Sequence, residues 1–184
     1  GIDGLAEKIN KIGMKFGLWF EPEMISPDSD LYREHPDWAI HIDEREGVQS
    51  RNQMVLDLSR DEVCEYVINA VSDILANANI EYVKWDMNRQ LTDMPRLGYN
   101  HEYTLGYYKI MSAITEKFPN ILFEGCSAGG GRFDAGVLAY MPQIWTSDNS
   151  DAIARLKMQY STSMCYPVYS ISSVSYTHLT LPTT

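Results

Sequence analysis

Four times along the chain a short run of apolar and aromatic residues ends at once in a dense polar cluster. Lys15 to Phe20 leads into Glu21-Pro22-Glu23, and Tyr82 to Trp85 leads into Asp86-Met87-Asn88-Arg89. Ile121 to Phe123 leads into Glu124-Gly125-Cys126-Ser127, and the run from Gln143 through Trp145 leads into Ser147-Asp148-Asn149. Between these strand-like runs apolar residues recur at helical spacing: Leu5, Ile9 and Ile12; then Val63, Val67, Ala70, Val71 and Ile74; then Tyr107, Ile110, Met111, Ile114 and Phe118; and finally Ile153 to Met164. No hairpin signal interrupts the order, so alternating strands and helices predict parallel strands joined by crossover helices. An open doubly wound sheet gathers its reactive residues at one switch point. A barrel delivers them from the C-terminal ends of successive strands, and four clusters at four strand ends fit that arrangement. A whole barrel takes about 250 residues. The α/β chain of 184 residues, with four readable strand–helix units, is therefore expected to be a partial (β/α)8 TIM barrel.

Glu21 to Asn52 holds Pro22, Pro27, Pro36 and Gly47 with little periodicity. It is too long for an ordinary connection and follows a strand's C-terminal end, which predicts a functional loop. With 45% hydrophobic and 22% charged residues, the composition supports a packed core and excludes disorder as the main state. No apolar run is long enough to span a bilayer, and Gly1-Ile2-Asp3-Gly4 lacks the regions of a signal peptide, although a chain opening mid-pattern would hide its own leader. Fifteen Lys and Arg against 25 Asp and Glu give a net charge of −10, which repels phosphate backbones and anionic lipid, so neither nucleic acid nor membrane is expected as a partner. Cys64, Cys126 and Cys165 form no CxxC pair, and His35, His41, His101 and His178 lack zinc-site spacing. A reducing, cytoplasmic compartment and no metal or cofactor are expected.

The clusters hold the candidate chemistry. Asp86, beside Lys84, Asn88 and Arg89, would be kept ionised by neighbouring cations, as a nucleophile requires. The residues leave open a helix cap or a structural ion pair. Asp148 is its natural partner, because glycoside hydrolysis uses two carboxyl groups, about 5–5.5 Å apart in retaining enzymes. Asp148 or Asp151 would also suit a cap on the helix that follows. Trp19, Trp38, Trp85 and Trp145 offer flat surfaces that stack on sugars or fill a core. Gly129-Gly130-Gly131 matches no phosphate-loop pattern and reads as a tight turn or a close approach of backbone to a ligand. Lys84 as a Schiff-base lysine, Cys126 as a thiolate nucleophile, and Glu21 or Glu23 as alternative acids are weaker options.

The motifs GLWFEPEM, RNQMVLDLSR, VKWDMNR, FEGCSAGGGRFD and QIWTSDNSD, in that order, closely resemble the catalytic domain of glycoside hydrolase family 36 α-galactosidases, over about Asp3 to Pro167. The resemblance implies that Asp86 is the nucleophile and Asp148 the general acid/base. It places Trp19, Arg51, Lys84, Asn88, Cys126 and Gly129 around the galactose. It further implies a retaining mechanism without metal or cofactor, α-galactoside oligosaccharides such as melibiose and raffinose as substrates, and a homo-oligomeric parent enzyme. The family's β-sandwich domain, first barrel strands and C-terminal β domain are not found, and Gln90 to Asn100 is shorter than the family's loop. The expectation is an internal fragment. Residues 1–172 would form part of the catalytic barrel, exposing two sheet edges and inactive alone, and 173–184 would be a non-native tail. A non-catalytic sugar-binding module, a Schiff-base aldolase and a galactosyl transferase are the rival readings.

Overall fold

The computed structural model describes residues 1–173. In chain order the elements are α1 (Ile2–Lys11), β1 (Gly17–Phe20), β2 (Met24–Ile25), α2 (Asp30–Glu34), β3 (Met54–Val55), α3 (Asp61–Ala76), β4 (Tyr82–Trp85), α4 (Tyr99–Lys117), β5 (Leu122–Gly125), β6 (Gln143–Trp145), α5 (Ala152–Ser163) and β7 (Ile171–Ser172). Strands β1, β4, β5, β6 and β7 make one sheet in that order, and every pairing is parallel. Helices α3 and α4 supply two of the crossovers and pack on each other, with Val63, Val67, Val71, Ile110, Met111 and Ile114 buried among Val83, Trp85 and Phe123 of the sheet. Gly106 lets α4 come this close, because a Cβ there would lie 1.8 Å from the Leu58 carbonyl oxygen. This is the expected partial barrel: four strand–helix units and the strand that opens a fifth, the unit after β5 carrying only the 3-10 turn Val137–Ala139. The proposed tail lies outside the described residues apart from its first residue, Ser173.

Three features depart from the sequence reading, each for a local reason. The long loop contains antiparallel pairing, with Met24 opposite Val55 and Ile25 opposite Met54. Two-residue strands this far apart in sequence leave no alternation to read. A tight turn at Ser50–Gln53 also escapes notice because its central residues are Arg51 and Asn52, at φ 55° and 59°, where such a turn usually carries Asn-Gly. Helix α4 begins at Tyr99, two turns before Tyr107, since Tyr99 and Tyr103 extend its buried stripe at a spacing of four. Strand β7 is two residues long and shows no pattern of its own.

The register sets up the interior. Trp19 pairs with Lys84, Lys84 with Glu124, and Glu124 with Gln143, so these four side chains form a row across one face of the sheet. Their neighbours Val83, Phe123 and Ile144, one residue along, turn to the opposite face and are buried. Among the described residues no helix is long and apolar enough to cross a membrane.

Candidate active site

Alternation continues past the strand ends and delivers the next layer. The ladder extends by one bond on each side of β4, with Asp86 N donating to the Phe20 carbonyl at 2.8 Å and Cys126 N donating to the Trp85 carbonyl at 2.8 Å. Asp86 and Cys126 thus lie side by side above the row, on the face that carries Lys84.

Asp86 is 5% exposed and its carboxylate is fully dressed. Oδ2 accepts from Trp19 Nε1 at 3.0 Å and Asn88 Nδ2 at 2.9 Å, while Oδ1 accepts from its neighbour's backbone, Met87 N, at 2.8 Å. Burial pushes the Asp86 carboxyl up, but hydrogen bonds from Trp19, Asn88, Cys126 and Met87 N outweigh it and hold the group below the ordinary carboxylate value. Nearby cations were the expected cause; N–H donors supply it instead, and Arg89 turns away to the Val48 carbonyl. Burial pushes the Cys126 thiol up to about 12, against a weaker bond from the Gly129 backbone. A thiol so disposed is a hydrogen-bonding neighbour of Asp86, not a nucleophile.

A second group forms around β6. Trp145 Nε1 donates to Asp148 Oδ1 at 2.8 Å, and Lys84 Nζ lies 4.4 Å from the centroid of the same indole. Gly129, at φ 88°, supports this group from below: a Cβ there would stand 2.8 Å from Ser147 Cα and 3.2 Å from Asp148 N. A ligand was the expected neighbour of the triple glycine; in the structure Gly129 closely approaches the Ser147–Asp148 backbone instead. Asp148 does not cap α5; Asp151 does, accepting from Ala154 N at 2.7 Å.

Glu21 ties in the remaining candidate. Its Oε1 accepts from Asn88 Nδ2 at 2.7 Å and Arg51 Nη1 at 3.2 Å, so the long loop is joined to the Asp86 cluster through Arg51. Glu23 is removed from any acid role. It is fully buried and accepts from Trp85 Nε1 at 2.8 Å, Tyr103 OH at 2.7 Å and Arg132 Nη1 at 2.9 Å. The tryptophans divide accordingly: Trp85 is core and Trp38 stacks on His35, while Trp19, 48% exposed, and Trp145 each hold a candidate carboxylate.

The structure thus brings Trp19, Asp86, Asn88, Cys126 and, through Glu21, Arg51 into one group, and Lys84, Gly129 and Asp148 into another, with Cys126 and Gly129 at the seam. Missed from sequence were Glu124, buried, and Gln143, half-buried, joined at 2.6 Å on the interior row, for which the two-residue strand period was the available signal. A cavity of about 870 Å³ lies beside this cluster, touching Asn88 alone of the candidates. Among the described residues β1 and β7 are sheet edges, so the central pocket stands open between them. No group of three His, Cys, Asp or Glu side chains among the described residues is arranged to hold a metal ion.

Replacing Trp19 by Phe removes one donor from the Asp86 carboxylate while keeping an aromatic surface. The Asp86 pKa then rises, because the ionised form loses a hydrogen bond. An NMR titration of the Asp86 carboxyl should read the rise directly; an unmoved value would mean that the Trp19 N–H does not hold its charge.

Parallel strands joined by crossover helices, with carboxylates at their C-terminal ends, define a segment of a β/α-barrel. Comparison with known proteins makes the assignment particular. The melibiase family model matches residues 1–179, and the chain belongs to that family, glycoside hydrolase family 36. It is 55% identical over 176 residues to α-galactosidase AgaA of Geobacillus stearothermophilus, covering 91% of this chain and 24% of that one. It is 54% identical over 167 residues to the bifunctional α-galactosidase/sucrose kinase AgaSK of Mediterraneibacter gnavus, covering 89% of this chain and 18% of that one. The crystal structure of AgaA superposes with a TM-score of 0.90 at 54% identity over 94% of this chain and 25% of the other. Variants of AgaA have been solved with raffinose and with stachyose. The chain spans between 18% and 25% of the length of these α-galactosidases.

Proposed function

We propose that this chain is the catalytic core segment of a retaining α-galactosidase that removes terminal α-linked galactose from oligosaccharides. The observation that carries the reading is Asp86: a buried carboxylate at a strand end, held ionised by four neighbouring groups and flanked by an exposed indole. Oδ2 accepts from Trp19 and Asn88 and Oδ1 from Met87 N, which holds the carboxylate ionised and fixed in orientation for attack on the anomeric carbon. Asp148, protonated, gives its proton to the glycosidic oxygen as the C–O bond breaks, and Asp86 forms a galactosyl ester. Water then attacks the same carbon while Asp148 takes its proton, and the product keeps the α configuration.

Lys84 and Arg51 offer donors to sugar hydroxyls, Asn88 its Oδ1 as an acceptor, Trp19 an apolar face, and Cys126 a small boundary. The raffinose and stachyose bound by AgaA variants support oligosaccharides of this kind as substrates, with melibiose as the simplest. A cytoplasmic, homo-oligomeric parent enzyme completes the proposal. The isolated chain turns over nothing in this reading, because its pocket is open at both sheet edges.

The test places the chain in AgaA in exchange for the segment it matches and treats this graft, and the chain alone, with an activated fluorinated galactosyl trap. Mass spectrometry should find the adduct on Asp86 in the graft and none in the chain alone. A folded graft that binds galactose but gives no adduct would replace the enzyme by a sugar-binding module. Borohydride trapping of substrate on Lys84 would replace it by an aldolase.

A further inference from the structure

Asp148 is exposed and is held by a single side-chain donor, Trp145 Nε1. Its carboxylate is therefore placed by two things: the orientation of that indole and the path of the backbone through Ser147. Both lead to one residue. Arg155, in the first turn of α5, is 2% exposed, and its Nη2 donates to the Ser147 carbonyl at 2.8 Å. Its guanidinium carbon also lies 5.4 Å from the centroid of the Trp145 ring. Nε and Nη1 of Arg155 are buried without a hydrogen-bond partner among the described residues.

Burying a guanidinium for one hydrogen bond is costly, and an apolar side chain such as Met would fill the same space without that cost. What the guanidinium alone can do is grip the carbonyl before Asp148 and the face of the indole that donates to it. The other anchors reach the group from its flanks: Thr146 N and Oγ1 donate to the Ser172 carbonyl at 3.1 and 2.9 Å, Gly129 packs on the Ser147–Asp148 backbone, and Lys84 lies over the Trp145 ring. Within the turn Ser147 Oγ accepts from Asn149 N at 3.2 Å and Asn149 Oδ1 from Asp151 N at 2.9 Å, so Arg155 alone touches both the Ser147 carbonyl and the indole. Asp151 then caps α5, which carries Arg155 back beneath the turn.

We propose that Arg155 is a positioning residue for the acid/base step, acting through Ser147 and Trp145 on Asp148. The proposal rests on the roles assigned above to Asp86 and Asp148. It predicts a loss confined to the steps in which Asp148 moves a proton. Leaving groups that depart unaided need little acid, whereas a sugar or alkyl leaving group needs it fully. In the AgaA graft, Arg155→Met should lower kcat/KM for raffinose by roughly 100-fold, the scale set by a misplacement of about 1 Å, and leave kcat/KM for a dinitrophenyl galactoside within a few-fold. With the activated substrate kcat and KM should fall together as the galactosyl-enzyme accumulates, and azide should restore kcat by replacing water.

Arg155→Lys, which keeps charge and most of the volume but not two contacts at once, should show the same split between substrates to a smaller degree. The Lys variant also serves where the Met variant does not fold. Equal losses on both substrates would make Arg155 a structural residue only, and no loss on either would remove it from the reaction; either result overturns the proposal. Failure of the mechanism itself would show separately, as an unmodified Asp86 in the graft that retains Arg155.

Discussion

Asp86→Asn in the AgaA graft should lower kcat/KM for an aryl α-galactoside by about 10⁴-fold or more, the scale of losing a nucleophile. The amide nearly preserves the volume of the carboxylate, so the cluster that surrounds Asp86 can remain in place. Trp19 Nε1, Asn88 Nδ2 and Met87 N, which all donate to Asp86, would then have one oxygen between them where they had two. Ground-state binding should change less than turnover, because the amide cannot form the ester that divides the reaction into two steps. Asp86→Ala makes the assignment stricter. With the carboxylate gone, azide can enter from the vacated side and displace the leaving group in one step. The product should be the β-galactosyl azide, of opposite configuration to the product of the unaltered graft. Residual activity within about tenfold of the unaltered graft, or an α-azide product, would remove Asp86 from the nucleophile's role.

The positions of these residues were legible in sequence to the extent that they depend on strand period. A polar residue directly after Trp85 or Gly125 must share a face with Lys84 or Glu124, and the structure places Asp86 and Cys126 there. What that reasoning could not supply was the source of the electrostatics. Lys84 and Arg89 stand within three positions of Asp86 in sequence, yet Lys84 lies over Trp145 and Arg89 bonds Val48, and neutral donors from Trp19 and Asn88 stabilise the charge. Proximity along the chain is a poor guide to proximity of charged ends: Lys84 shares a face with Asp86, yet its long side chain carries Nζ to the Trp145 ring. The same ambiguity covered Asp148 and Asp151: both precede α5, and the cap geometry that separates them is set by backbone angles. Glu23 and Arg155 were opaque for another reason. Charged residues are expected at the surface, and nothing in their local pattern marks burial, which here depends on partners 62 to 109 positions away for Glu23.

Glu23→Ala should therefore cost about 3–5 kcal/mol, the scale for removing a fully buried carboxylate from its ion pair. Glu23 is 0% exposed and Arg132 sits with it, its Nη2 at 2.8 Å from Oε1 and its guanidinium 4.3 Å from the centroid of the Tyr107 ring. Removing the carboxylate also strands Trp85 Nε1 and Tyr103 OH, both buried donors. In the graft, the urea midpoint for protease protection of this segment should fall by about 2 M if unfolding costs about 2 kcal/mol per molar. Glu23→Gln, which keeps an acceptor for the indole and the phenol but not the charge, should fall less. The decisive variant is double. Glu23→Met with Arg132→Met leaves no orphaned charge, so the pair together should cost less than either single change. Because Arg132 follows the triple glycine directly, its tie to Glu23 also fixes the loop on which Gly129 meets the Asp148 backbone. The double variant should thus regain stability and not activity: midpoint close to the unaltered graft, kcat/KM for raffinose still depressed. Additive losses in stability would show instead that Glu23 and Arg132 do not act as a pair.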